Sequence, residues 1–197
     1  MVMNSYSCFM HNLAIAPAFV PARPRTWRRM ARPVLALFDS AQPLVRAAEE
    51  RDIDQIAALV SEFATQGLML PRTSEQVARD IDQYVVVADH SGHVLACAAL
   101  TEYSPSLAEV SSVAVARSQH GKGLGTLVVQ GIEQMATVRD YTEVFALSLT
   151  DGFFTALGYA HCEVARYPEK LARWKQLTDD GIDVVPKRCF RKTVATE

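Results

Sequence analysis

The segment Ser118-Gln119-His120-Gly121-Lys122-Gly123-Leu124-Gly125-Thr126-Leu127 places three of the chain's nine glycines within five residues. Before it, Glu109 to Val115 (EVSSVAV) reads as an apolar strand. After it, Leu124, Leu127, Val128, Gly131, Ile132 and Met135 recur at helical spacing. Glycine between two regular elements marks backbone that must take positive φ or let another group approach closely. Three anion-binding readings compete there with a plain connector. The mononucleotide pattern G-x-x-x-x-G-K-[ST] fails, because Lys122 is followed by Gly123 and no glycine sits five residues before it. The dinucleotide pattern G-x-G-x-x-G fails, because Thr126 stands at the third glycine and no second βαβ half follows. The third reading is strand, glycine loop, helix N-terminus. Backbone N–H groups of residues 121–126 and the helix dipole then converge on an anion. Such a nest holds a pyrophosphate without a charged side chain.

Outward from the loop, the periodicity predicts a first strand at 44–47 and an amphipathic helix over 51–66, ended near Gly67. Pro71 disfavours helix at Leu70. Thr73-Ser74-Glu75-Gln76 has the capping-box form, opening a second helix to about Asp82. Runs at 84–89 and 94–101 about His90-Ser91-Gly92-His93 predict a hairpin. Glu143 to Ser148 predicts a strand, Phe153 to Gly158 a helical turn, and Cys189 to Val194 a last strand. The predicted order is βααβββαβαβ. That is an α/β fold, a mixed central β-sheet flanked by helices on both faces.

Composition narrows the function. Of 197 residues, 49% are apolar, enough for one domain with a real core. Residues 1–38 hold five arginines and no acidic residue, which leaves 15 basic against 22 acidic residues beyond them. An acidic body argues against a nucleic-acid partner. No run approaches a membrane span. Residues 1–40 are read as an extension outside the fold, disordered or preceding a true start at Met30; residues 41–197 are read as the domain. Cys8, Cys97, Cys162 and Cys189 are far apart in sequence, with no C-x-x-C, so reduced thiols and no metal site are expected.

His120-Gly121-Lys122-Gly123-Leu124-Gly125 resembles the R/Q-x-x-G-x-G/A loop of the GNAT acyltransferases, with the flanking Val113-Ala114-Val115 and Thr126-Leu127 also matching. The resemblance covers residues 44–194 and implies acetyl-CoA as cosubstrate, bound at Val113, Ala114, Val115, His120, Gly121, Lys122, Gly123, Leu124, Gly125 and Thr126. His120 departs from the usual arginine or glutamine. Three further stretches resemble N-acetylglutamate synthases: Gly67 to Thr73 (GLMLPRT), Leu147 to Phe154 (LSLTDGFF) and Ala165 to Lys170 (ARYPEK), where Tyr167 replaces leucine. Their closing R-x-S-K is echoed only by Lys187-Arg188-Cys189, with Phe190 at the lysine.

Acetyl transfer to an amine needs a base for the ammonium proton and a donor for the thioester oxygen. Glu109, at the head of the fourth strand, is the candidate base, beside the reading of a plain exposed strand-end glutamate. The resemblance places strand backbone at Val113 and Val115 against the acyl-CoA arm. It puts Phe154, which cannot donate, where many relatives carry an acidic tyrosine. Arg72 is the candidate clamp for a carboxylate. Ser111 and Ser112 alternate faces, so one points at the acceptor. Lys187 and Arg188 are candidates for a second carboxylate. His90, His93 and His161 have no ligand spacing, and Phe153 and Phe154 read as core. The expected activity is cytoplasmic N-acetylation of a small amino acid, L-glutamate first, as in arginine biosynthesis, by direct transfer in a ternary complex. A homodimer stays open, as do another amine or protein N-terminus as acceptor, and a non-catalytic acyl-CoA sensor.

Overall fold

The computed structural model describes residues 43–182 and 184–194; the extension expected over residues 1–40 lies outside them. Strands β1 (Leu44–Ala47), β2 (Tyr84–Ala88), β3 (Val94–Ser104), β4 (Leu107–Val115), β5 (Glu143–Ser148), β6 (Ala160–Cys162) and β7 (Arg188–Thr193) form a mixed sheet. Their order is β1-β2-β3-β4-β5-β7-β6. Among the described residues only β4 and β5 pair in parallel, and the crossover between them carries the glycine loop.

Helices α1 (Ile53–Ala64) and α2 (Ser74–Arg79) cover one face, and α3 (Leu124–Val138) covers the other. Strand alternation sorts the core between them. Val85 and Val87 of β2 pack with Val128 and Ile132 of α3, whereas Tyr84 and Val86 pack with Ile56 and Val60 of α1. Gly131 lets α3 lie close: a Cβ there would stand 2.8 Å from Val85 and 3.0 Å from Val45. The capping box forms as expected. Thr73 accepts from the Gln76 N–H at 3.2 Å, and Gln76 Oε1 accepts from the Thr73 N–H at 3.0 Å.

The C-terminal third differs from expectation. After α4 (Asp151–Ala156) come the short edge strand β6 and then α5 (Pro168–Asp179) before β7, two elements absent from the predicted order. Strand β6 has three residues, too few for a period, and no residue of α5 is buried. The fourth strand starts two residues earlier than predicted, which places Glu109 inside it, 6% exposed, instead of at an open end.

Candidate functional site

Strands β4 and β5 pair only at Ala108, Glu109 and Val110 against Val144, Phe145 and Ala146. Beyond Val110 they part. A bulge widens the gap: Ser112 has φ +50, and the β3–β4 register slips between Cys97 and Ala99. A cavity of about 620 Å³ fills the opening, and a second of about 350 Å³ adjoins it. Both are bounded by Met69, Ser111, Ser112, Leu147 and Lys187, so they meet at the bulge. The bulge also breaks the expected alternation of the two serines, and both reach the junction. Ser111 Oγ lies 2.6 Å from Thr101 Oγ1.

The larger cavity is the glycine-loop cleft. Gly121 and Gly123 have φ +77 and +78, and an added Cβ meets nothing within 4 Å at either. These glycines are demanded by backbone conformation, which costs an L-residue about 1–2 kcal/mol. Gly123 is the N-cap of the fifteen-residue α3, so its first amides face the cleft with the positive end of the dipole. Gly125 answers to space instead: a Cβ would lie 3.2 Å from the Phe153 ring, which lines the cleft from α4. Val113, Val115, Leu124 and Thr126 complete this wall. Ala114 does not line it; the side chain is 2% exposed and packs under α1. Lys122 is exposed and bonds Gln119 at 2.9 Å. His120 lines the cleft, yet its Nε2 lies 2.8 Å from the Val115 carbonyl. A carbonyl only accepts, so Nε2 carries the proton and the imidazole staples the loop to the end of β4.

The smaller cavity gathers charge. Arg72, Lys170, Arg173 and Lys187 line it with one carboxylate, Glu109. Glu109 Oε2 accepts from Lys170 Nζ at 2.7 Å and from the Tyr103 hydroxyl at 2.8 Å, and Lys170 also reaches the Tyr103 oxygen at 3.0 Å. Burial, then the charge and bond of Glu109, push the Tyr103 hydroxyl far above its ordinary range, so it stays a donor. Burial holds the Lys187 ammonium below its ordinary value, against the opposing pull of Glu109. Lys187 also donates to the Leu68 carbonyl at 2.9 Å. Arg188 does not line this cavity; it turns out to Asp151 on α4. Its position on β7 sends its side chain opposite to Lys187. Tyr103, Lys170, Arg173 and Trp174 were absent from the expected site. The Pro168-Glu169-Lys170 stretch and the Leu171, Trp174, Leu177 spacing carried that signal.

Among the described residues, no group of three or more His, Cys, Asp or Glu side chains could hold a metal ion, and no helix is long and apolar enough to cross a membrane. The sequence profile of the acetyltransferase (GNAT) family matches residues 44–160. An uncharacterised N-acetyltransferase of Chlorobaculum tepidum is 34% identical over 140 residues, 71% of this chain and 88% of that one. An amino-acid acetyltransferase of Pasteurella multocida is 30% identical over 128 residues, which is 64% of this chain but 29% of the longer protein. Among solved structures, an N-acetylglutamate synthase of Neisseria gonorrhoeae, complexed with coenzyme A and N-acetyl-glutamate, superposes with a TM-score of 0.67 at 26% identity, over 79% of this chain and 36% of that one. A Mycobacterium tuberculosis protein in complex with CoA superposes equally well, TM-score 0.67, at 23% identity, over 78% of this chain and all of the other.

Proposed function

Because the chain belongs to the GNAT family of acetyltransferases, we propose that it moves the acetyl group of acetyl-CoA onto the α-amine of a small acidic amino acid, L-glutamate, in the cytoplasm, as a step of arginine biosynthesis. We assign this activity to residues 41–197. The observation that carries the acceptor is the smaller cavity, where four cationic side chains surround one carboxylate beside the glycine-loop cleft. A neutral or basic amine gains nothing from that field, whereas a dicarboxylate balances it. Two of the named relatives agree in kind: an amino-acid acetyltransferase and an N-acetylglutamate synthase.

The residues fit the donor. The paired positive-φ glycines and the amides opening α3 supply an anion nest, and the parted strands leave edge backbone at Val113 and Val115 for an extended arm. Acetyl-CoA supplies an acetyl thioester there. On the acceptor side, Arg72 and Lys187 hold carboxylates, and Ser111 and Ser112 border the point where the two cavities meet. Tyr103 and Lys170 hold the Glu109 carboxylate in place, where it takes the ammonium proton, directly or through one water. The freed amine forms the amide bond as the carbon–sulfur bond breaks and the thiolate leaves. With Phe154 4% exposed and unable to donate, the thiolate leaves without a dedicated acid; thiols have an ordinary pKa of about 8.5, which permits this.

Thiol release from acetyl-CoA, followed against each of the twenty amino acids, tests the proposal. Release with L-glutamate above all others supports it. Release with basic or neutral amines instead, or none despite measurable CoA binding, overturns it.

A further inference from the structure

Two of the cysteines that are distant in sequence meet in the fold. Cys162 ends β6, and Cys189 is its direct register partner on β7. Their sulfurs lie 3.2 Å apart, with the Cys162 thiol donating. Directly opposed residues of an antiparallel pair have Cα atoms about 4.5–5.5 Å apart, inside the span a disulfide bridges. We propose that Cys162 and Cys189 are a reversible oxidation site whose disulfide closes the neck of the chain excursion that walls the acceptor cavity.

The neck is a matter of topology. The chain leaves the sheet at Cys162, makes a short turn (Val164–Arg166), forms α5, and rejoins the sheet at Arg188 and Cys189. Everything that the outer wall of the acceptor cavity needs lies on this excursion: Lys170, Arg173 and Trp174 from α5, and Lys187 just before β7. The excursion is thinly anchored, since no residue of α5 is buried. Tyr167 holds its near end, stacked on Phe145 at 4.2 Å with the hydroxyl on Glu143 at 3.0 Å. That ring shares one apolar cluster with Cys189 and Cys162. The thiol pair is therefore packed against the anchor itself.

The two sulfurs differ in access. Cys162 is partly exposed, whereas Cys189 is 4% exposed. A hydroperoxide reaches Cys162 first. The Cys162 thiolate displaces hydroxide from hydrogen peroxide to give the sulfenic acid. The Cys189 sulfur then attacks that sulfur, the S–S bond forms, and water leaves with the Cys189 proton. The sum is two thiols and one peroxide giving one disulfide and two waters. A dithiol reverses it. Among the described residues Cys97 has no such partner, and it is fully buried under α1.

Bond formation draws the sulfurs from 3.2 Å to about 2.05 Å. The shift acts on both ends of the excursion that carries Lys170 and Lys187; the glycine loop, between β4 and α3, lies outside that excursion. The expected consequence falls first on the acceptor, because Lys170 lines only that cavity while Lys187 borders both, and this second half rests on the function proposed above.

The full chain, treated with stoichiometric hydrogen peroxide and digested under non-reducing conditions, should yield one peptide pair linked through Cys162 and Cys189, two hydrogens lighter than its reduced parts. The link should revert with dithiothreitol and be absent from Cys162→Ser. The oxidised protein should show an acceptor KM changed several-fold with a smaller change in the acetyl-CoA KM, and Cys162→Ser should lose this response. Absence of the link, or linkage through Cys8 or Cys97 instead, overturns the site. A complete link that moves neither KM overturns its role at the neck. If no amino acid is acetylated in either redox form, the acceptor reading fails, while the peptide map still decides the site.

Discussion

Arg72 lines the smaller cavity from the loop between α1 and α2, where a guanidinium would grip a substrate carboxylate with two parallel bonds under the proposed function. Replacing it with alanine removes a charged hydrogen-bond pair, of order 2 kcal/mol, and should raise the glutamate KM about 10- to 100-fold. The acetyl-CoA KM should stay unchanged; equal effects on both would remove Arg72 from the acceptor side. Glu109→Gln preserves shape and keeps a bond to Tyr103 but takes no proton. Steady-state assays should show kcat reduced at least about 100-fold, and a loss under tenfold would take the base role from Glu109. Residue by residue, legibility varied for physical reasons. Gly121 and Gly123 were legible because positive φ is written in residue type. His120 lines the cleft, but its bond to the Val115 carbonyl was not legible, because a side chain next to an anion nest turns equally well to a nearby carbonyl. Lys187 and Arg188 could not be separated in sequence: one lines the cavity and the other pairs with Asp151, and only the strand's orientation decides which.

At the scale of elements, α3 was legible from its apolar spacing, and its close approach to β1 and β2 came with Gly131. Gly131→Val should overpack that contact and lower stability by about 1–3 kcal/mol, read as a reduced melting temperature with the fold retained. The entry to α1 depends on charge. Asp52 has no exposed surface and takes two bonds from Arg46, at 2.6 and 2.9 Å, and one from the Glu49 N–H at 2.8 Å. Burial alone would raise its carboxyl; the Arg46 pair and the Glu49 amide outweigh burial and hold it below the ordinary value. A depressed folded value gives stability that is present above the unfolded carboxylate range and lost as pH falls through the folded value. Asp52→Asn should therefore melt well below wild type at about pH 7, by about 3 kcal/mol, with the gap closing below about pH 4. A gap independent of pH would show that packing, not charge, carries the effect. Helix α5 was the longer of the two elements missed. It buries nothing, so the core-seeking stripe that reveals a helix was weak, although Pro168 at its first turn and Leu171, Trp174 and Leu177 on one side were there to be read. Strand β7 (RCFRKT) was legible from Cys189 onward, one residue inside its start, because Arg188 is charged and exposed and carries no apolar signal.

At the scale of the whole molecule, the helix–strand order was enough to predict a mixed sheet with two covered faces, because hairpins and one crossover admit few arrangements. The acceptor cavity was not legible at that scale. Its walls come from the α1–α2 loop, β3, β4, α5 and the approach to β7, brought together only by a strand order that inserts β7 between β5 and β6. The parting of β4 from β5 has a mechanical consequence. Three residue pairs are all the sheet bonding that joins the block β1–β4 to the block β5–β7–β6. The seam is held elsewhere by α3, whose Glu133 reaches Lys192 of β7 at 2.8 Å. A donor lodged in the opening would bond both blocks at once, as a keystone loads both sides of an arch. CoA at one hundred times its Kd should then raise stability by the mass-action value of about 2.7 kcal/mol. Amide exchange should slow along β5 and β7, far from the glycines, as well as along the loop. If protection stops at the glycine loop, the two blocks are already rigidly joined without a keystone. If it crosses, the order of events follows: the donor sets the arch, and only then does the chamber for the amino acid have a fixed floor.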